Sequence, residues 1–122
     1  MNDLIQRLVN AFIRQEGMPS NYPNPGNLRR APWLFSPVIE NNFWKPVSRA
    51  QGIAGAAHVV SLHIAEGDTL RQLISGKPGY GGWAPVTDGN KTEQYIQNVK
   101  TWAEIPDENV PLWNFIEPAT VS

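Results

Sequence analysis

The chain has 122 residues, 41% hydrophobic and 17% charged, with a formal net charge of −1 and no cysteine. That balance describes a single globular domain over 1–122 that closes one core, and it excludes a disulfide scaffold, a thiolate metal site and a thiol nucleophile. The ten Lys and Arg are scattered, so neither the basic stripe of a nucleic-acid binder nor the basic amphipathic helix of a membrane-surface protein stands out.

Asp3, Arg7, Asn10 and Arg14 interrupt the apolar residues of the N-terminus. The expectation is therefore no classical signal peptide, and no apolar run reaches bilayer-spanning length. Five Trp, three Tyr, four Phe, eleven Pro and ten Gly call for structured loops whose aromatic residues can stack on flat ligand faces or cover the core.

In chain order, Asn2 to Gln15 predicts the first helix, capped by Asn2 or Asp3 and closed by Gly17. Leu4, Ile5, Leu8, Val9, Phe12 and Ile13 recur at helical spacing. From Met18 to Pro37 six Pro and Gly residues break the chain into a long loop, a type of segment that is usually functional in a compact domain. Val38 to Val47 predicts a β-hairpin turning at Asn41-Asn42. Ser48 and Gln51 have capping-box spacing and open a second helix to about Ala65, ended by Gly67. Its Gly and Ala residues suit close approach by another helix. Asp68 or Thr69 caps a short third helix, Leu70 to Ser75. Lys77 to Asn90 is again loop, Thr92 to about Ala103 a fourth helix, and Leu112 to Ile116 a last turn before a frayed end. The fold class is mainly α, with a small hairpin.

On a helical wheel Ile5, Val9, Phe12 and Glu16 share one narrow sector, which puts a carboxyl at the C-terminal end of the apolar stripe. Partial burial and the negative end of the helix both raise the pKa of such a group, and a carboxyl kept protonated near neutrality is what glycosidic acid catalysis requires. The wheel also allows the simpler reading, a solvated side chain at a helix end. In the next loop, Asn24-Pro25-Gly26-Asn27 permits a type II turn with Gly26 as its left-handed residue. Its flanking amides could serve sugar hydroxyl and acetamido groups, or the segment could be a turn alone.

A helix ending in Gln15-Glu16-Gly17, the loop Asn24-Pro25-Gly26-Asn27-Leu28, the small-residue helix from Arg49 to Ala57, and the segment from Trp83 to Val99 follow one another in this order. The series resembles a family of lysozyme-like proteins of phages and bacteria, related to goose-type lysozymes and soluble lytic transglycosylases. The resemblance spans most of the chain. It implies an α+β lysozyme-like domain cleaving the MurNAc–GlcNAc bond of peptidoglycan glycan strands, as lytic transglycosylase or muramidase. It also implies Glu16 as the acid and Tyr95 as a residue near it that orients it or contacts the saccharide, with Asn24 and Asn27 in the cleft and Tyr80, Trp83 and Asn90 as further saccharide contacts. The stretch Ser20-Asn21-Tyr22-Pro23 lacks a third Asn found in many relatives, and 30–43 is individual to this chain.

A hydrolase of this kind normally needs a second carboxylate. Glu40, Glu66, Asp88 and Glu93 are available, and Asp88 is the best placed, though Asp-Gly is commonly a turn. A lone acid fits a transglycosylase, in which the muramoyl C6 hydroxyl replaces water. His58 and His63 are five apart on a helix, so they do not pair as i, i+4 metal ligands and read as packing or surface residues. The expectations are no metal, no cofactor, a monomer, and action at the cell wall with phage or prophage delivery. The rival is a wall-binding or virion-structural module that keeps the fold without turnover.

Overall fold

The computed structural model describes residues 3–29, 38–40 and 42–116. Asn2, Asn41 and the segments 30–37 and 117–122, where the sequence suggested a helix cap, half of a turn, the end of a long loop and a frayed tail, lie outside the described residues. Among the described residues there are four helices, α1 (Asp3–Glu16), α2 (Arg49–Ala65), α3 (Leu70–Ser75) and α4 (Thr92–Trp102). They are accompanied by one antiparallel strand pair, β1 (Ile39–Glu40) with β2 (Phe43–Trp44), and by single 3-10 turns at Val86–Asp88 and Leu112–Phe115. The protein is thus mainly helical with a small two-stranded sheet. Among the described residues no helix is long and apolar enough to cross a membrane.

Local chemistry explains most boundaries. Gly17 takes φ +62° and its N–H bonds the Ile13 carbonyl at 3.2 Å, which ends α1 one residue later than the periodicity suggested. Ser48 caps α2 by accepting from the Gln51 N–H at 3.1 Å, but the Gln51 side chain reaches back to the Val47 N–H at 2.7 Å rather than to Ser48 itself. A full capping box forms instead at α3, where Thr69 and Gln72 satisfy one another's backbone N–H groups. In the hairpin Ile39 faces Trp44 and Glu40 faces Phe43, with Asn42 at φ +68° in the turn.

The core runs through all four helices. Leu8, Phe12, Val60, Leu70, Leu73, Ile74, Ile96 and Val99 are fully buried, each contributing about 1.5–3 kcal/mol of apolar transfer. α1 packs against both α2 and α4, and α3 against α4. The small residues of α2 receive more than a helix. A Cβ on Gly52 would lie 1.9 Å from the Pro23 carbonyl oxygen, and one on Gly26 would lie 3.3 Å from Ala56 Cβ and from the Trp83 ring. The loop after α1 is therefore pressed backbone-first onto α2, which fixes where that loop can present side chains.

Candidate functional site

Glu16 is the last residue of α1 and continues the stripe begun by Val9 and Phe12, both buried. Tyr95 lies on the buried face of α4 beside Ile96 and Val99. Although 79 positions apart in sequence, the two meet: the Tyr95 hydroxyl donates to Glu16 Oε2 at 2.6 Å. Three further ties hold the helices in this register. Asn98 Nδ2 donates to Gln15 Oε1 at 2.9 Å, the Arg14 guanidinium lies 4.2 Å from the Trp102 ring centre, and Arg7 Nη1 donates to the Ala103 carbonyl at 2.7 Å. Tyr95 is at once a packing residue and a donor to the carboxyl.

Burial raises the Glu16 pKa above its ordinary value, and hydrogen bonds from Tyr95 and Asn27 recover only part of the shift. Tyr95 is pushed strongly upward, first by burial and then by the charge of Glu16, so its phenol keeps its proton. The pair is thus a carboxyl biased toward the protonated state and a permanent donor beside it.

The Asn24–Asn27 turn divides the roles of its two amides. The Asn27 N–H bonds the Asn24 carbonyl at 2.9 Å, and the left-handed residue is Asn27, at φ +53°, where Gly26 was expected. That conformation brings Asn27 into the cleft against Glu16. Asn24 does not reach the cleft and is corrected as a saccharide contact. Only 1% exposed, it donates to the carbonyls of Leu28 (2.8 Å) and Trp44 (2.9 Å) and accepts from the Leu28 N–H (3.0 Å). Its amide is spent joining the loop to the hairpin.

The second loop forms the facing wall. Trp83 stacks on Phe12 with ring centres 4.0 Å apart and donates from Nε1 to the Gly26 carbonyl at 3.1 Å. The Tyr80 hydroxyl donates to the Leu73 carbonyl at 2.8 Å, and Asn90 Nδ2 to the Pro85 carbonyl at 3.1 Å. Glu16, Asn27, Tyr80, Trp83 and Asn90 line one cleft of about 750 Å³, large enough for a ligand of several rings. Of Glu40, Glu66, Asp88 and Glu93, Asp88 alone lines it, and Asp88 is ion-paired with Arg29 at 3.0 Å. Glu40, Glu66 and Glu93 pair with Lys45, Lys77 and Arg71 instead.

One cleft residue was read in the sequence as packing or surface. His63 lies in the cleft wall, its Nδ1 2.6 Å from Asp68 Oδ2 and its ring 4.2 Å from that of Tyr80. Lys77 Nζ donates to Asp68 Oδ1 at 2.6 Å and to Glu66 Oε2 at 2.8 Å. His63, Glu66 and Asp68 gather three metal-ligand atoms within 4.8 Å, but a side-chain cation already bridges the two acids. The sequence signal was slight: an Asp five residues after a His, across a helix end.

Comparison with protein-family models, with curated proteins and with solved structures found no match for this chain.

Proposed function

We propose that the chain is a lysozyme-like glycosidase that cleaves the β-1,4 bond between MurNAc and GlcNAc in peptidoglycan. The observation that carries the reading is the 2.6 Å bond from Tyr95 to Glu16 inside the cleft, on a carboxyl whose pKa burial has raised. Such a group is protonated where most carboxyls are not, and it is oriented by a donor that does not ionise in its place.

In the proposed reaction, Glu16 gives its proton to the glycosidic oxygen as the C1–O4 bond breaks, so the GlcNAc side leaves as an alcohol. Positive charge develops at C1 of the MurNAc residue. The resulting carboxylate then takes the proton of the C6 hydroxyl, whose oxygen bonds C1 to give a 1,6-anhydro end. Burial, Tyr95 and Asn27 are the influences on Glu16, with no second carboxylate among them, which suits this one-acid route; Asp88 lines the cleft in an exposed ion pair with Arg29. Asn27 would position the chain beside Glu16, with the Tyr80 and Trp83 rings as walls for sugar faces. The Asn24 amide would act indirectly, by fixing the loop that carries Asn27.

Digestion of purified peptidoglycan followed by mass spectrometry tests the route. The expected products carry 1,6-anhydro ends, 18 Da lighter than hydrolysed ones by the mass of one water. Reducing ends would assign a muramidase, and absence of any cleavage would leave the non-catalytic wall-binding module.

A further inference from the structure

Every fully buried side-chain nitrogen and oxygen among the described residues has a hydrogen-bond partner. His63 is only 8% exposed, and its one hydrogen bond is made by Nδ1 to Asp68. Among the described residues its Nε2 has no hydrogen-bond partner, so that atom is not sealed inside the protein, and His63 lines the cleft. Asp68 is occupied on both oxygens, by Lys77 on Oδ1 and by the imidazole on Oδ2. Burial alone would raise its pKa, but the hydrogen bonds from Lys77 and His63 outweigh that and hold it below the ordinary carboxyl value. An ionised Asp68 only accepts, so Nδ1 carries the proton, and in the neutral ring Nε2 is left as a bare acceptor. The Tyr80 ring, packed at 4.2 Å, keeps the imidazole from turning away.

We infer that His63 is a further saccharide-contacting residue, its Nε2 accepting a hydrogen bond from a sugar hydroxyl in the cleft, with Asp68 and Lys77 as the positioning residues that fix its tautomer. The choice of a saccharide as the ligand rests on the proposed function. The acceptor itself rests on the His63–Asp68–Lys77 geometry. An imidazole acceptor complements the rest of the wall, because the Tyr80 hydroxyl and the Trp83 Nε1 already donate to backbone carbonyls and offer their rings. His63 thus adds a directional acceptor to a cleft lining that also includes Val59, Leu62 and the Tyr80 ring packed against it.

The test uses the Glu16→Gln variant, which holds a ligand without turning it over, titrated with the tetrasaccharide of N-acetylglucosamine. Nitrogen NMR of the imidazoles should show His63 as the Nδ1–H tautomer in the free protein. Its Nε2 resonance should then move on saturation, while that of His58, which is not part of the cleft wall, stays in place. His63→Phe in the same background keeps the ring shape and should weaken binding about three- to tenfold, the loss of one net hydrogen bond. A His63 resonance unmoved at saturation, equal affinity of the Phe variant, or no binding of the tetrasaccharide would each overturn the inference. If the Phe variant does not fold, the resonance in the Glu16→Gln protein decides alone. Saccharide binding that moves His63, in a wild-type protein that leaves peptidoglycan intact, would sink the catalytic reading and keep this one.

Discussion

Glu16 and Asp68 are two carboxyl groups in similar positions and opposite states. Each sits at or just beyond the C-terminal end of a helix, α1 or α2, and each is drawn out of water at the edge of one cleft or the wall behind it. Burial pushes both upward. For Glu16 the neighbours are neutral donors, Tyr95 and Asn27, and burial prevails. For Asp68 the neighbours are the Lys77 ammonium and an imidazole N–H, and they prevail. Desolvation alone therefore does not make an acid. The absence of a fixed cation beside the carboxyl is the second requirement, and of these two only Glu16 meets it among the described residues.

Removing the proposed acid gives the largest expected effect. Glu16→Gln should lower peptidoglycan cleavage by about 10²–10⁴-fold, the usual contribution of general acid–base catalysis, as measured by release of soluble fragments. The same variant should be more heat-stable than the parent at neutral pH. A raised folded pKa means that the native state binds more protons than the unfolded chain between the ordinary and the raised values. Stability contributed by protonated Glu16 is complete below that window and is lost as pH rises through it. Gln does not titrate, so the difference in Tm should grow as pH rises from the ordinary carboxyl pKa through the raised one, and a difference that shrinks with pH would contradict the assigned state.

Tyr95→Phe comes next. It removes a donor to the charged form of Glu16, so the Glu16 pKa should rise further and the alkaline limb of the activity profile should move upward. The rate should fall by roughly tenfold, the scale of one lost charge-assisted hydrogen bond in a site. An alkaline limb moving downward would show that Tyr95 does not act through Glu16.

Lys77→Met is the smallest in activity and the sharpest for the comparison, because it should turn Asp68 into a second Glu16. Asp68 now stabilises the fold above the ordinary carboxyl pKa and loses that contribution as pH falls through its depressed value. Without the ammonium, burial should dominate, the Asp68 pKa should cross above its ordinary value, and the stability contribution should change sign. Carboxyl-carbon NMR titration of Asp68 reads this directly, and a pKa still below the ordinary value would mean that His63 alone suffices.

These sites were legible in the sequence to different degrees, for physical reasons. The limits of α3 and the close of α1 depend on residues within a turn of the boundary, Thr69 with Gln72 and Gly17 with Ile13, so they could be read locally. Glu16 was visible as part of a periodic stripe, but its pairing with Tyr95 joins positions 79 apart and was anticipated only through a family resemblance. Asn24 and Asn27 look equivalent in the string Asn-Pro-Gly-Asn. What separates them is the Trp44 carbonyl, supplied by a hairpin 20 residues later, which claims the first amide and leaves the second to the cleft. His63 reads only as a packing or surface residue in the sequence because its character comes from Asp68 past the helix end and from Lys77 in another loop. The helix-on-helix approach expected at the small residues of α2 met a loop backbone at Gly52, since Pro23 presents its carbonyl there.

That contact at Gly52 has a consequence for mutational tolerance. In a library randomised at this codon and sorted for folded protein, glycine alone should survive, even though the position lies in an ordinary stretch of helix where alanine is normally the better residue. The carbonyl 1.9 Å from the missing Cβ belongs to the loop that carries Asn27. A variant that did tolerate alanine would have to lift that loop from α2, so such a screen, though it selects only for folding, would also select for the shape of the cleft.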